Sequence, residues 1–191
     1  MSLIVKNEQK PREKPMLGMH DAICCFVQDV GTHIVKTQYG DMAKHQIVIL
    51  WEIDENMKGT YDSKYAGLPF MVSKQYTFSL FEKANLSKDL ESWFSKRIGD
   101  ETRKNGFDLE TLVGRKCQLN LIESEDGRYI NIGSVLPASK ENNMVQICQV
   151  CPEWIAKKRA ASLESTKEPG DDYGEPLPPQ PHTAEEDGLP F

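Results

Sequence analysis

The run His45 to Ile53 (HQIVILWEI) is dominated by β-branched and aromatic side chains. Such a run suits a pleated strand covered on much of both faces. A second run, Leu68 to Leu80 (LPFMVSKQYTFSL), alternates instead. Phe70, Val72, Tyr76, Phe78 and Leu80 share one face, with Lys74 the only charged member of that series, and Met71, Ser73, Gln75, Thr77 and Ser79 share the other. Period two predicts a strand with one buried side. The connector Glu55 to Gly67 (ENMKGTYDSKYAG) is rich in turn formers and carries Lys58, Tyr61, Lys64 and Tyr65. It is too polar for core and rich in rings for a plain connector, so Lys44 to Leu80 reads as a long β-hairpin with a ring-bearing tip.

The remaining elements follow from changes of period. Asp21 to Val30 (DAICCFVQDV) reads as a first strand ended by Gly31-Thr32, and His33 to Lys44 as a loop. Leu86, Leu90, Trp93, Phe94 and Ile98 recur at spacings of three and four, the stripe of a helix lying on a core. Asn85 or Ser87 is suited to cap it, with Lys96 and Arg97 in its last turn and Gly99 as its stop. A short turn is expected over Asp108 to Val113, closed by Gly114. Two further strands, Lys116 to Ile122 and Tyr129 to Leu136, flank Asp126-Gly127, a strong hairpin signal. Val145 to Val150 reads as a short edge strand and Glu153 to Ser162 as a short helix with a basic patch at Lys157-Lys158-Arg159.

Charge separates a neutral body from an acidic end. Of 23 basic and 29 acidic residues in 191, the stretch Cys151 to Phe191 holds 4 and 9, a net of −5, leaving 19 and 20 before it. This excludes a polybasic binder but not a local positive groove on the neutral part. From Leu163 onward Glu, Asp, Pro, Gly and Ser dominate, the composition of a disordered, proline-stiffened tail. Five cysteines, Cys24, Cys25, Cys117, Cys148 and Cys151, and a charged, proline-bearing start point to a reduced, cytoplasmic setting. No apolar run approaches the length of about 18 residues that a membrane helix needs.

The order strand, strand, strand, helix, strand, strand is that of the OB-fold, a five-stranded barrel whose face and loops bind oligonucleotides. The chain also ends in Glu185, Glu186, Asp187, Gly188, Leu189, Pro190 and Phe191. This terminus resembles the acidic tip of bacterial single-stranded DNA-binding proteins, in which acids precede an apolar residue, Pro and a final Phe. Gly31 to His33, Trp51 to Ile53, Val72 to Leu80 and Leu86 to Phe94 resemble a phage-encoded branch of such OB-fold proteins. The resemblance implies a mainly β chain: an N-terminal arm over 1–19, an OB-fold domain over 20–150, a short helix over 151–162 and a tail over 163–191. It also implies non-sequence-specific binding of single-stranded DNA in phage or bacterial replication and recombination, inside a bacterial host cell. The tip would recruit replication or recombination proteins, Phe191 entering an apolar pocket while Glu185, Glu186 and Asp187 meet a positive rim.

Binding a single strand without regard to sequence needs rings for bases to stack on and cations along the phosphates. The central hairpin supplies Trp51, Tyr61, Tyr65 and Tyr76 as candidate platforms and Lys44, Lys58, Lys64 and Lys74 as candidate phosphate partners. Arg128 and Tyr129 add to these at the other hairpin, and Lys36 and Tyr39 in the first loop. Lys74, on an otherwise apolar face, either snorkels outward or marks where the barrel opens to a ligand. Aromatic residues at alternating strand positions also serve as core, an alternative role for Trp51 and Phe78.

Other chemistries find less support. Cys148-x-x-Cys151 has a zinc-like spacing, yet zinc takes four ligands and no second Cys or His pair is suitably spaced, so free or buried thiols and no cofactor are expected. His20, His33, His45 and His182 fit no catalytic motif, and the chain does not read as an enzyme. An alternative reading is a protein-interaction adaptor, an OB-like domain without nucleic-acid binding that presents the terminal peptide. A single small barrel leaves a homo-oligomer open.

Overall fold

The computed structural model describes residues 12–37 and 40–163. The acidic tail, its tip and Tyr39 lie outside the described residues.

Strand β2 (Gly40–Asn56) forms the spine of the sheet and is buried on both faces from Gln46 to Ile53, as its composition predicts. Ile47, Ile49, Trp51 and Ile53 point into the main core, and Val48 and Leu50 into a second, smaller cluster. β1 (Gly18–Thr37) pairs antiparallel with β2 along its length, and β3 (Pro69–Thr77) pairs with β2 from the other side. β4 (Lys116–Glu123) and β5 (Ile130–Pro137) form a second hairpin that joins the first half of β1. The result is a five-stranded antiparallel sheet in the order β3-β2-β1-β4-β5, whose outermost strands, β3 and β5, come into contact.

The segment expected as a loop, His33 to Lys44, is instead the end of a hairpin, with His33 opposite Lys44 and Lys36 opposite Asp41. This ribbon extends past both neighbouring strands. Flanked by no sheet on either side, it has no buried face and so no alternating apolar signal. Gly31 does not end the strand either. It sits at a β-bulge with φ +79°, its N–H donating to Asp29 Oδ1 at 2.7 Å, and the strand continues beyond it.

Helix α1 (Asn85–Phe94) packs on β3 and β5 through Leu86, Leu90 and Trp93, the predicted stripe. It starts without a side-chain cap, Ser87 is buried, and the helix stops at Phe94 rather than near Gly99. Ser95 takes the left-handed conformation (φ 49°) and returns its N–H to Glu91 and Ser92 carbonyls, while Ile98 still packs on the core. A short helix α2 (Asp100–Asn105), which the sequence pattern does not predict, follows; the turn at Leu109–Leu112 is a 3-10 turn capped by Asp108.

Val145 to Val150 forms no edge strand. The segment lies along the outer face of the sheet, where the buried Glu52 carboxylate accepts the Ile147 N–H at 2.8 Å and the Cys148 N–H. A side chain thus takes amides that a neighbouring strand would otherwise pair. Helix α3 (Glu153–Ala160) then places Ile155 against Cys25, Val30, Val48 and Leu50. Residues 145–163 therefore close this face, with Arg159 Nη1 3.1 Å from Asp29 and the Leu163 N–H on the Thr32 carbonyl at 2.9 Å.

Two further expectations are corrected. β1 begins at Gly18, inside the stretch read as an arm. Phe78, offered as core, is 58 % exposed, because β3 ends at Thr77 and Phe78 lies past the sheet against His45.

Candidate nucleic-acid interface

The antiparallel registers bring two loops to one end of the sheet. Ala22 pairs with Ile53 and Gly18 with Leu121, so the exit of β2 and the exit of β4 point the same way. The 57–68 loop, between Asn56 and Pro69, and the 124–129 loop, between Glu123 and Ile130, thus share that end. Residues 12–16 bridge them. Glu13 accepts the Lys58 N–H at 2.7 Å and the Thr60 N–H, Lys14 Nζ donates to the Gly127 carbonyl at 2.8 Å, and the Met16 N–H donates to Glu55 Oε2 at 2.8 Å.

Tyr61, Tyr65 and Tyr129 are exposed by 58, 43 and 65 %, large values for rings with no core to join. Lys58, Lys64 and Arg128 are exposed beside them. Lys64 Nζ lies 4.5 Å from the Tyr65 ring centroid and 3.4 Å from Asp62. Its hydrogen bonds to Tyr65 and then Asp62 hold its ammonium above the usual lysine range. Arg128 Nε is 3.7 Å from Asp126. In this setting Lys64 and Arg128 are each steered by an acid of their own loop, and the rings remain open to solvent.

The structure does not gather the other proposed contacts at this end. Lys44 and Lys36 lie on the ribbon end of β2 and β1, separated from Asn56 by about 40 and 50 Å of strand. Trp51 is fully buried against Trp93, with centroids 6.1 Å apart, and so is not a platform. Tyr76 is also core: its hydroxyl donates to Asp89 Oδ2 at 2.8 Å, and burial, then Asp89, pushes its phenol far up. Lys74 neither snorkels nor marks an opening. Its Nζ lies 2.7 Å from the same Asp89 oxygen, which α1 brings over the inward face of β3. Nothing in the local sequence pattern ties Asp89 to Lys74.

Glu13 and Lys14, which sequence reasoning does not single out, belong to this end of the molecule because residues 12–16 reach both loops. An open pocket of about 410 Å³ at the base of the 57–68 loop, lined in part by Asp21, Asp54, Asn56, Pro69 and Ile147, carries the wrong charge for phosphates.

Cys24, Cys25 and Cys117 are buried; burial pushes all three thiols up, that of Cys25 to about 12 with help from Glu52. Among the described residues no group of three or more His, Cys, Asp or Glu side chains is placed to hold a metal ion. Nor is any described helix long and apolar enough to cross a membrane. Comparison with protein-family models, curated proteins and solved structures found no match in any of the three.

Proposed function

We propose that the chain binds single-stranded DNA without sequence preference, using the loop end described above, and serves replication or recombination. The observation that carries this reading is the convergence of Tyr61, Tyr65 and Tyr129 with Lys58, Lys64 and Arg128 on two loops tied together by residues 12–16. Exposed rings interleaved with cations suit stacked bases and a tracked backbone.

The strand arrangement supports an OB-type barrel: β1 is central, α1 lies between β3 and β4 in the chain, and β3 meets β5. Residues 145–163 cover the outer face of β1 and β2, so in this reading the strand runs over the loops rather than along that face. The tip from Glu185 to Phe191 would then recruit partner proteins, as its resemblance implies.

The test is fluorescence anisotropy of a labelled oligothymidine titrated with the full chain at several salt concentrations, repeated with a duplex of equal length. Tight single-strand binding that weakens steeply with salt, with little duplex affinity, is expected. Flat titrations for both would overturn the reading.

A further inference from the structure

The turn at Lys58-Gly59-Thr60 is built around an anion. The Glu13 carboxylate accepts the Lys58 N–H at 2.7 Å and the Thr60 N–H, with the Gly59 amide and the Thr60 side chain contributing to its binding. Together these hold the carboxyl below the usual glutamate range, the Thr60 side chain having the largest effect. Successive backbone N–H groups converging on one oxyanion form a nest, and nests take carboxylates and phosphates alike. Gly59 fixes this turn. Its φ is +75°, and a Cβ there would lie 2.6 Å from the Ala66 Cβ, so the turn is wedged against the far side of its own loop. Glu13 is not part of the loop; it arrives from residues 12–16, which Lys14 and Met16 hold to neighbouring acceptors.

We propose that the Lys58–Thr60 turn is a phosphate-binding site made of backbone amides, occupied by Glu13 in the free protein and yielded to a phosphodiester of bound single-stranded DNA. The proposal rests on the DNA-binding reading above and adds to it a specific contact and an internal competitor. Tyr61 directly follows the nest, so a phosphate seated there sets an adjoining base beside an exposed ring. Apparent affinity is lowered by the fraction of molecules in which Glu13 fills the site, and removing the carboxylate lifts that penalty.

The experiment compares the full-length wild type, E13A and E125A for oligothymidine binding at low salt, with amide shifts of Lys58, Gly59 and Thr60 followed by NMR. E125A removes an equal charge from the neighbouring 124–129 loop without touching the nest. The expected result is that E13A binds roughly three- to tenfold more tightly while E125A changes little, and that the oligonucleotide shifts the three amides in wild type and E13A. If wild type binds and E13A binds no better, or E125A gains as much, the competitor is absent and the proposal alone fails. Unmoved amides in a protein that binds the oligonucleotide sink it equally. If no variant binds oligothymidine, the underlying reading fails and takes the proposal with it.

Discussion

Lys74 Nζ lies 2.7 Å from Asp89 Oδ2, joining the inward face of β3 to the first turns of α1. The same oxygen accepts the Tyr76 hydroxyl, and the Lys74 ammonium is 5.6 Å from the Tyr76 ring centroid. A lysine that looked like a ligand contact is therefore part of the helix–sheet junction. With both side chains about four-fifths covered, removing one partner leaves the other charge poorly solvated. Asp89→Ala is expected to cost about 2 to 4 kcal/mol in urea unfolding, with intrinsic affinity for oligothymidine retained in the folded fraction. A loss of binding without a loss of stability would place Lys74 back among the DNA contacts.

Four buried protons give the fold a defined response to alkali. The thiols of Cys24, Cys25 and Cys117 and the Tyr76 phenol all have folded values raised above those of the unfolded chain, chiefly by burial. Above the unfolded thiol value of about 9 the unfolded chain releases these protons and the folded chain keeps them. Their contribution is thus complete below about pH 9 and is lost as pH rises toward about 12, where Cys25 ionises in the fold. Each thiol adds a slope of up to about 1.4 kcal/mol per pH unit. Thermal unfolding with reductant should show Tm falling from pH 9 upward, and Cys117→Ala should fall less steeply than wild type. A flat profile to about pH 10.5 would contradict the burial of these thiols.

What could be read from the chain depended on burial. Residues 46–53 announce their strand because both faces meet apolar partners, and the α1 stripe does so because Leu86, Leu90 and Trp93 lie on the core. The ribbon over 32–37 and 40–45 has no fully buried side chain among those described, so its residues carry no strong apolar period, and pairing with the opposite strand is visible only in three dimensions. Val145 to Val150 failed for the opposite reason. Its alternation is real, with Val145 and Ile147 outward and Gln146 and Cys148 inward, but its amides are taken by Glu52, more than ninety residues away in sequence. The site divided along the same line: loop rings such as Tyr61 and Tyr65 are exposed where polar surroundings implied it, whereas strand rings such as Trp51 and Tyr76 are core. Long-range partners, Glu13 for the Lys58 turn and Asp89 for Lys74, leave no local trace.

Glu52 is the fastening of residues 145–151 to the sheet, and its loss should be felt there first. Glu52→Ala leaves the Ile147 and Cys148 amides without an acceptor against a covered face, which is expected to lower stability by about 1 to 3 kcal/mol. Local opening should exceed the global effect. The partly buried Cys148 and Cys151 thiols should react with a disulfide reagent several-fold faster than in wild type under conditions where buried Cys24 and Cys117 stay protected. Equal acceleration at all of these cysteines would indicate global unfolding instead and remove Glu52 from its role as a local fastener.

The loop rings and cations should separate into two kinds of effect. Tyr61, Tyr65 and Tyr129 are exposed and carry little of the fold, so alanine at each should leave unfolding nearly unchanged. A ring that stacks on a base is worth about 1 to 3 kcal/mol, so each substitution should weaken oligothymidine binding from several-fold to about a hundredfold with little change in salt dependence. Lys58→Ala and Arg128→Ala should do the reverse, lowering the magnitude of the slope of log K against log salt by about 0.7 for each phosphate that is no longer neutralised. Lys64 is the mixed case, because its ammonium is held over Tyr65 and against Asp62. Its removal should reduce the salt slope and also free the Tyr65 ring, so Lys64→Ala and Tyr65→Ala should be non-additive in a double-mutant cycle. Strict additivity would mean that the ring and the ammonium act on the nucleic acid independently, despite the 4.5 Å between them.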